Sequence, residues 1–368
     1  MNISIKDKFQ ISPILVFFLL FANLLDLGFL NYQRTLVTHA GFNAWISVIL
    51  SGLSIHAIVW IIYKLFQYSK DSSNSDLVSV NRVCFGRAAG KLADIAVLLY
   101  FLLGAFLSFR GYIIIIQVWF FPEMPIWFVG ITFITLLYYT ITGGLRSITG
   151  LSFWGTAASV IYLIPLLFLL WKYLHPLNLL PLLDHSPIEL LMSSKSMISQ
   201  YTGISSILMI YPFIQSPVKS KKWSHLAVLT ATAIYLIIIL ITYMFYSEEQ
   251  LKLIVWPTLH MYMVLQIPLI QRLEYMIVPI FLISITANIS LHLWMACRTA
   301  KRSLKVKQWP SLLLFLLALY TFSFFIKDYD GLRTVDKIYE TIGCFFLYMY
   351  IPLLFILMKV KKMRGQLR

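Results

Sequence analysis

Ten apolar, nearly charge-free stretches set the limits on how this chain folds. They lie near residues 13–33, 43–64, 93–119, 125–143, 153–173, 197–215, 224–246, 272–296, 309–326 and 339–358. A bilayer core is crossed by about 20 helical residues. Over 368 residues, 60% hydrophobic and only 12% charged content leaves too little polar surface for a water-soluble protein. The chain therefore reads as an all-α integral membrane protein with about ten transmembrane helices. Connections are short, apart from polar segments at 65–91, 174–195, 247–267 and 327–338. None holds a soluble domain, so residues 1–368 form a single polytopic membrane domain. The first stretch is too long for a signal peptide and counts as a mature helix.

The net charge of +15 invites a nucleic-acid reading, but the placement of the basic residues argues against it. With the N-terminus inside, 21 of the 30 Lys and Arg fall in cytoplasmic segments, from Lys64, Arg82 and Arg146 to Lys219, Arg298 and Lys361. That bias is the ordinary orientation signal of membrane proteins, and it also attracts anionic lipid heads. Both termini are then cytoplasmic. Cys84, Cys297 and Cys344 are far apart, with neither metal spacing nor a disulfide framework. No cofactor and no metal are expected.

Polar residues inside the spans are the candidates for function. Asp26 interrupts the first span only roughly 5 Å from its middle, at about 1.5 Å of rise per residue. A charge at that depth costs on the order of 3 kcal/mol and faces a bundle interior or cavity. Gly28 makes a helix break cheap, and Asn31 lies where it would share the cavity of such a break. In the third span Tyr100, Gly104 and Ser108 recur every four residues and share one face. Arg110 follows in apolar surroundings; Glu274 is one partner for it, as a structural or gating ion pair, and a ligand carboxylate is another. The sixth span opens on Thr202, Gly203 and Ser206 and meets Pro212 near its inner end. The eighth carries Ser284, Asn288 and His292 on one face. For each group, plain helix packing competes with ligand contact. Motifs of the HExxH, P-loop, GxSxG and His-x4-Asp kinds are missing, so the chain is not read as an enzyme.

Read together, these features resemble the spore germination permease family, the B-subunits of nutrient germinant receptors and a branch of the amino acid–polyamine–organocation transporters. The resemblance runs from Ile11 to Lys361. Its pieces are Ala40-Gly41-Phe42-Asn43-Ala44-Trp45-Ile46-Ser47 after span one, Phe85-Gly86 through Gly90-Lys91 before span three, and Arg110 within it. Gly143-Gly144-Leu145-Arg146, Asn178-Leu179-Leu180-Pro181-Leu182-Leu183, and Trp256-Pro257-Thr258-Leu259 leading to Arg272-Leu273-Glu274 follow in order. Departures are informative. Asp26 stands where many members have the first Gly of Gly-x-Gly, and Gln33 replaces a proline. Gly203 replaces a frequent Glu, while Phe281 and Asn288 replace Trp and Lys.

The resemblance implies a LeuT-like five-plus-five inverted repeat, residues 11–173 and 197–358, with broken first and sixth helices. It also implies a receptor subunit that binds a small nutrient, often an amino acid, alongside A- and C-subunits in the inner membrane of the spore. A proton- or sodium-coupled amino acid symporter is the alternative. The candidate ligand contacts are then Asp26, Gly28, Asn31, Tyr100, Gly104, Ser108, Thr202, Gly203, Ser206, Ser284 and Asn288.

Overall fold

The computed structural model describes residues 7–69, 75–265 and 272–364. The described chain is almost entirely helical. Its helices are α1 (Leu15–Leu24), α2 (Tyr32–Ala40), α3 (Trp45–Gln67), α4 (Leu77–Trp119), α5 (Ile126–Thr142), α6 (Gly144–Leu169), α7 (Pro187–Ile198), α8 (Ile207–Ile210) and α9 (Pro217–Phe245). They continue with α10 (Glu248–Leu253), α11 (Pro257–Val264), α12 (Glu274–Thr299), α13 (Gln308–Ser323), α14 (Tyr329–Phe345) and α15 (Ile351–Met363). No strand forms among the described residues; one isolated bridge ties Ile11 to Ile214. Six continuous helical segments are long and apolar enough to cross a membrane, which fits an integral membrane protein: Tyr32–Gln67, Leu77–Trp119, Gly144–Tyr173, Pro217–Phe245, Glu274–Leu304 and Tyr329–Met363. Leu15–Leu24, Ile126–Thr142 and Gln308–Ser323 are shorter apolar helices.

α12 is the hub, packing most extensively on α4 and α6. Its residues from Ser284 to Cys297 are buried without interruption, polar ones included. In a membrane a helix so enclosed has exchanged lipid for helix neighbours, and Ser284, Asn288 and His292 find partners inside the protein, while Ser290 Oγ is buried with none among the described residues.

Four segments read as polar connections hold helix. The polar stretch 65–91 forms helix from Leu77, because Asp76 caps the first turn by accepting from the Ser79 amide at 3.0 Å. The chain bends at Gly86, whose φ of 80° is open to glycine and strained for other residues. Lys70 and Ser73, in the same stretch, lie outside the described residues, as do residues 266 and 267 of 247–267. The rest of 247–267 holds α10 and α11, and 174–195 holds the start of α7. Likewise 327–338 is no loop: Asp328 caps Gly331, and α14 begins at Tyr329. Charge density hid these helices, since a hydropathy reading equates polar with unstructured.

One end of the bundle is clamped by charge. Asp76, fully buried, pairs with Arg302, in the turn of π-helix after α12, at 2.9 Å and lies 3.9 Å from Arg298 in the last turn of α12. His185 and Glu189, four apart in 174–195, form no joint site. Glu189 closes a capping box on Ser186, and His185 contacts Asp184. The Asn43 amide and His185 hold the Asp184 carboxyl below the usual carboxylate range, which fastens the turn after α2 to this segment.

Candidate functional site

The first apolar span does break, at Leu25 and Asp26 rather than at Gly28. Leu25 leaves the helix with φ −95° and ψ 68°, and Asp26 is extended at −90° and −171°. A 3-10 turn, Leu27–Leu30, then leads into α2. Gly28 serves closeness instead of bending: a Cβ there would lie 2.0 Å from Gln200 Oε1. Gln200 belongs to a second irregular stretch, the 3-10 segment Ser199–Ser206 that precedes α8. Gly203 faces the break from the other side, where a Cβ would sit 2.6 Å from the Asn23 carbonyl oxygen. At Gly203 the two interruptions meet backbone against backbone, which only a glycine permits, and at Gly28 the break meets the end of the Gln200 side chain.

Breaking a helix in a membrane frees carbonyls that lipid does not satisfy. Side chains of other helices take them up. Tyr235 of α9 donates to the Leu24 carbonyl at 2.6 Å, and Thr258 of α11 to that of Phe29 at 3.1 Å. The Asn288 amide of α12 reaches Asn23 Oδ1 at 2.7 Å and the Asn23 carbonyl at 3.4 Å, while the Asn23 amide donates to the Gly203 carbonyl at 3.0 Å. Asn288→Leu is accordingly expected to lower stability by about 1–3 kcal/mol, since Asn23 loses its buried donor. A fall in melting temperature of the purified protein in detergent checks this, and an unchanged melting temperature contradicts it.

Between the two interruptions lies a cavity of about 110 Å³. On one wall are Asp26, Gly28 and Asn31; on another Gly104 and Ser108 of α4; on a third Thr202 and Gly203; Asn288 and His292 of α12 complete the deep end. Ser108 donates to Asp26 Oδ2 at 2.6 Å and lies 3.3 Å from Asn288 Oδ1. Asp26 Oδ1 is buried, and no donor reaches it among the described residues. The His292 Nδ1–H donates to the Asn288 carbonyl at 3.0 Å, so the neutral ring presents Nε2 as an acceptor.

Three expected contacts lie elsewhere. Tyr100 sits behind the cavity, stacked on Tyr339 with ring centroids 5.0 Å apart. Ser206 is buried outside the lining. Ser284 donates to the Gly155 carbonyl at 3.1 Å and serves the contact between α12 and α6.

Arg110 and Glu274 do not pair. Arg110, fully buried, donates from Nε to the Ile326 carbonyl at 2.6 Å and from Nη2 to that of Lys327 at 2.8 Å. Glu274 pairs with Arg272 at 2.7 Å. Carbonyl oxygens past the end of α13 thus do the work expected of a carboxylate. Asp26 is not Arg110's partner either.

The fourth wall was not read from the sequence. Tyr329, Arg333, Asp336 and Tyr339 line the cavity from α14. Their spacing of three and four residues is the signal that would have found them, had 327–338 been taken as helix. Tyr329 accepts from the Asn31 amide at 3.1 Å and joins this wall to the broken helix. Tyr339 donates to Thr202 Oγ1 at 3.5 Å.

Comparison with known proteins gives the site its context. The profile of a family described as "Spore germination protein" matches residues 10–332. Spore germination protein GerQB of Bacillus cereus is 31% identical over 97% of this chain and 98% of its own. Spore germination protein B2 of Bacillus subtilis (strain 168) is 22% identical, over 72% of this chain and 71% of its own. Spore germination protein YndE of the same strain is 23% identical, over 93% and 94%. With the profile spanning most of its length, the chain belongs to the spore germination permease family.

Proposed function

We propose that this protein is the B-subunit of a nutrient germinant receptor and that the cavity binds a small nutrient, an amino acid or a similar solute, to trigger germination. One observation carries the reading: two interrupted helices meet at a partly open cavity, lined by polar and apolar groups, that holds a carboxylate oxygen without a donor among the described residues. Intramembrane ionisable groups and irregular backbone at such depth mark binding sites. The LeuT-like arrangement of about ten spans, with repeats at 11–173 and 197–358, accords with breaks in the first and sixth of them. Size narrows the solute. A cavity of about 150 Å³ holds benzene, so about 110 Å³ suits a small amino acid better than a nucleoside or a hexose.

A ligand triggers a response only by binding two states unequally. Here the differential contacts are Asp26 in the break and the α14 wall, which a shift of either interruption would separate. The receptor acts with A- and C-subunits and membrane lipids in the inner membrane of the spore, without nucleic acid and without catalysis. Loss of germination when a co-expressed A-subunit is omitted supports this reading. Uptake of labelled amino acid by vesicles containing this chain alone would favour the coupled symporter instead.

Both termini are placed on the cytoplasmic side, with 247–267 outward. On a cysteine-free background, Glu249→Cys is expected to react with an impermeant maleimide added outside, and Lys307→Cys only after permeabilisation. The opposite labelling pattern reverses the topology.

A further inference from the structure

We propose that Arg333 is the anion-recognising residue of this cavity, so that the nutrient is a zwitterion whose ammonium meets Asp26 and whose carboxylate meets Arg333. The inference deepens the proposed function and rests on it.

Two opposite charges in the lining form no ion pair within 4.0 Å among the described residues. Asp26 Oδ1 has no donor. Arg333 is half-buried and, among the described residues, makes no ion pair within 4.0 Å. Charges half withdrawn from water are poorly solvated, and each gains from a complementary group on a ligand. Asp336, one turn beyond Arg333, adds a second carboxylate to the lining. A ligand carboxylate near Asp26 and Asp336 would face like charge. Arg333 is the one permanently cationic side chain among the described lining residues, so the ligand's anionic end belongs there.

Position supports the assignment. The Asn31–Tyr329 hydrogen bond anchors α14 to the broken helix one turn before Arg333. Arg333 thus lines the cavity from the helix tied to Asn31, and Asp26 lines it from the break, held by Ser108. The planar fork of an arginine suits bidentate recognition of a carboxylate. An α-amino acid carries both charged groups on one carbon, so a space of this size can offer it an acidic and a basic contact together.

The test uses the full chain purified in detergent, its melting temperature followed against the standard L-amino acids, the amides of those that bind, inosine and glucose. At least one amino acid is expected to stabilise the protein, with its amide roughly 30-fold or more weaker, the loss typical of removing one partner of a desolvated charge pair. Arg333→Gln is expected to weaken the acid to the level of the amide without altering the amide's own affinity. Asp336→Asn should keep the acid-over-amide preference, which separates ligand recognition from mere neutralisation of Asp336. Equal binding of acid and amide by the native chain, or an undiminished preference in Arg333→Gln, overturns the proposal. If Arg333→Gln does not fold, the native preference and its weakening in Arg333→Lys carry the test. Binding of inosine or glucose alone keeps a nutrient site and refutes the zwitterion; binding of no probe refutes both.

Discussion

Asp26→Asn is expected to abolish the response of spores to nutrient while leaving the protein near its normal level. The side chain keeps its shape, and Ser108 still has an oxygen to donate to at the position now 2.6 Å away. What disappears is the charge facing the cavity from Oδ1. Losing one member of a desolvated ligand charge pair costs about 2–5 kcal/mol, enough to move a dose–response curve by orders of magnitude. The measurement is germination against nutrient concentration, with immunoblots of spore membranes for abundance. A stable variant with an unshifted curve would remove Asp26 from ligand binding. Abundance falling in step with response would make the carboxylate structural.

Arg110→Gln should act in the opposite way, on abundance first. The guanidinium satisfies the Ile326 and Lys327 carbonyls, and two buried acceptors left bare cost about 1–3 kcal/mol each. The same bonds fix the approach to Asp328, the cap of α14, so the cavity wall carrying Arg333 would loosen as well. A melting temperature lowered by several degrees and a reduced membrane level are the expected results. Adding Asp26→Asn should rescue neither, because the two residues are not partners. Recovery in the double variant would show that they are.

These two residues also show what the sequence makes legible. A carboxylate in an apolar run is conspicuous, and the cost of burying it points to a cavity from the sequence alone. Ser108 and Asn288 were visible for a similar reason, as polar positions on one face of otherwise apolar helices. Arg110 is equally conspicuous, yet its hydrogen-bond partners are not legible: backbone carbonyls carry no letter in the sequence, and the charge near it is that of Asp328, not Glu274. Asp336 and Arg333 were hidden by their own polarity. In a segment dense with charge, hydropathy signals a loop, whereas only the three- and four-residue spacing from Tyr329 to Tyr339 reports a helix face. The break in the first span was anticipated, but with the wrong role for Gly28, since the nearness of Gln200 is a long-range fact.

Tyr235, Thr258 and Asn288 come from three different helices, and each holds a carbonyl of the first-span interruption. The interruption is therefore a shared fastening point. Any shift of Asp26 toward or away from a solute strains bonds to α9, α11 and α12 together, so a displacement too small to see at the ligand is distributed over half the bundle. Tyr235→Phe and Thr258→Val, which touch no solute, would then blunt the message while sparing the affinity.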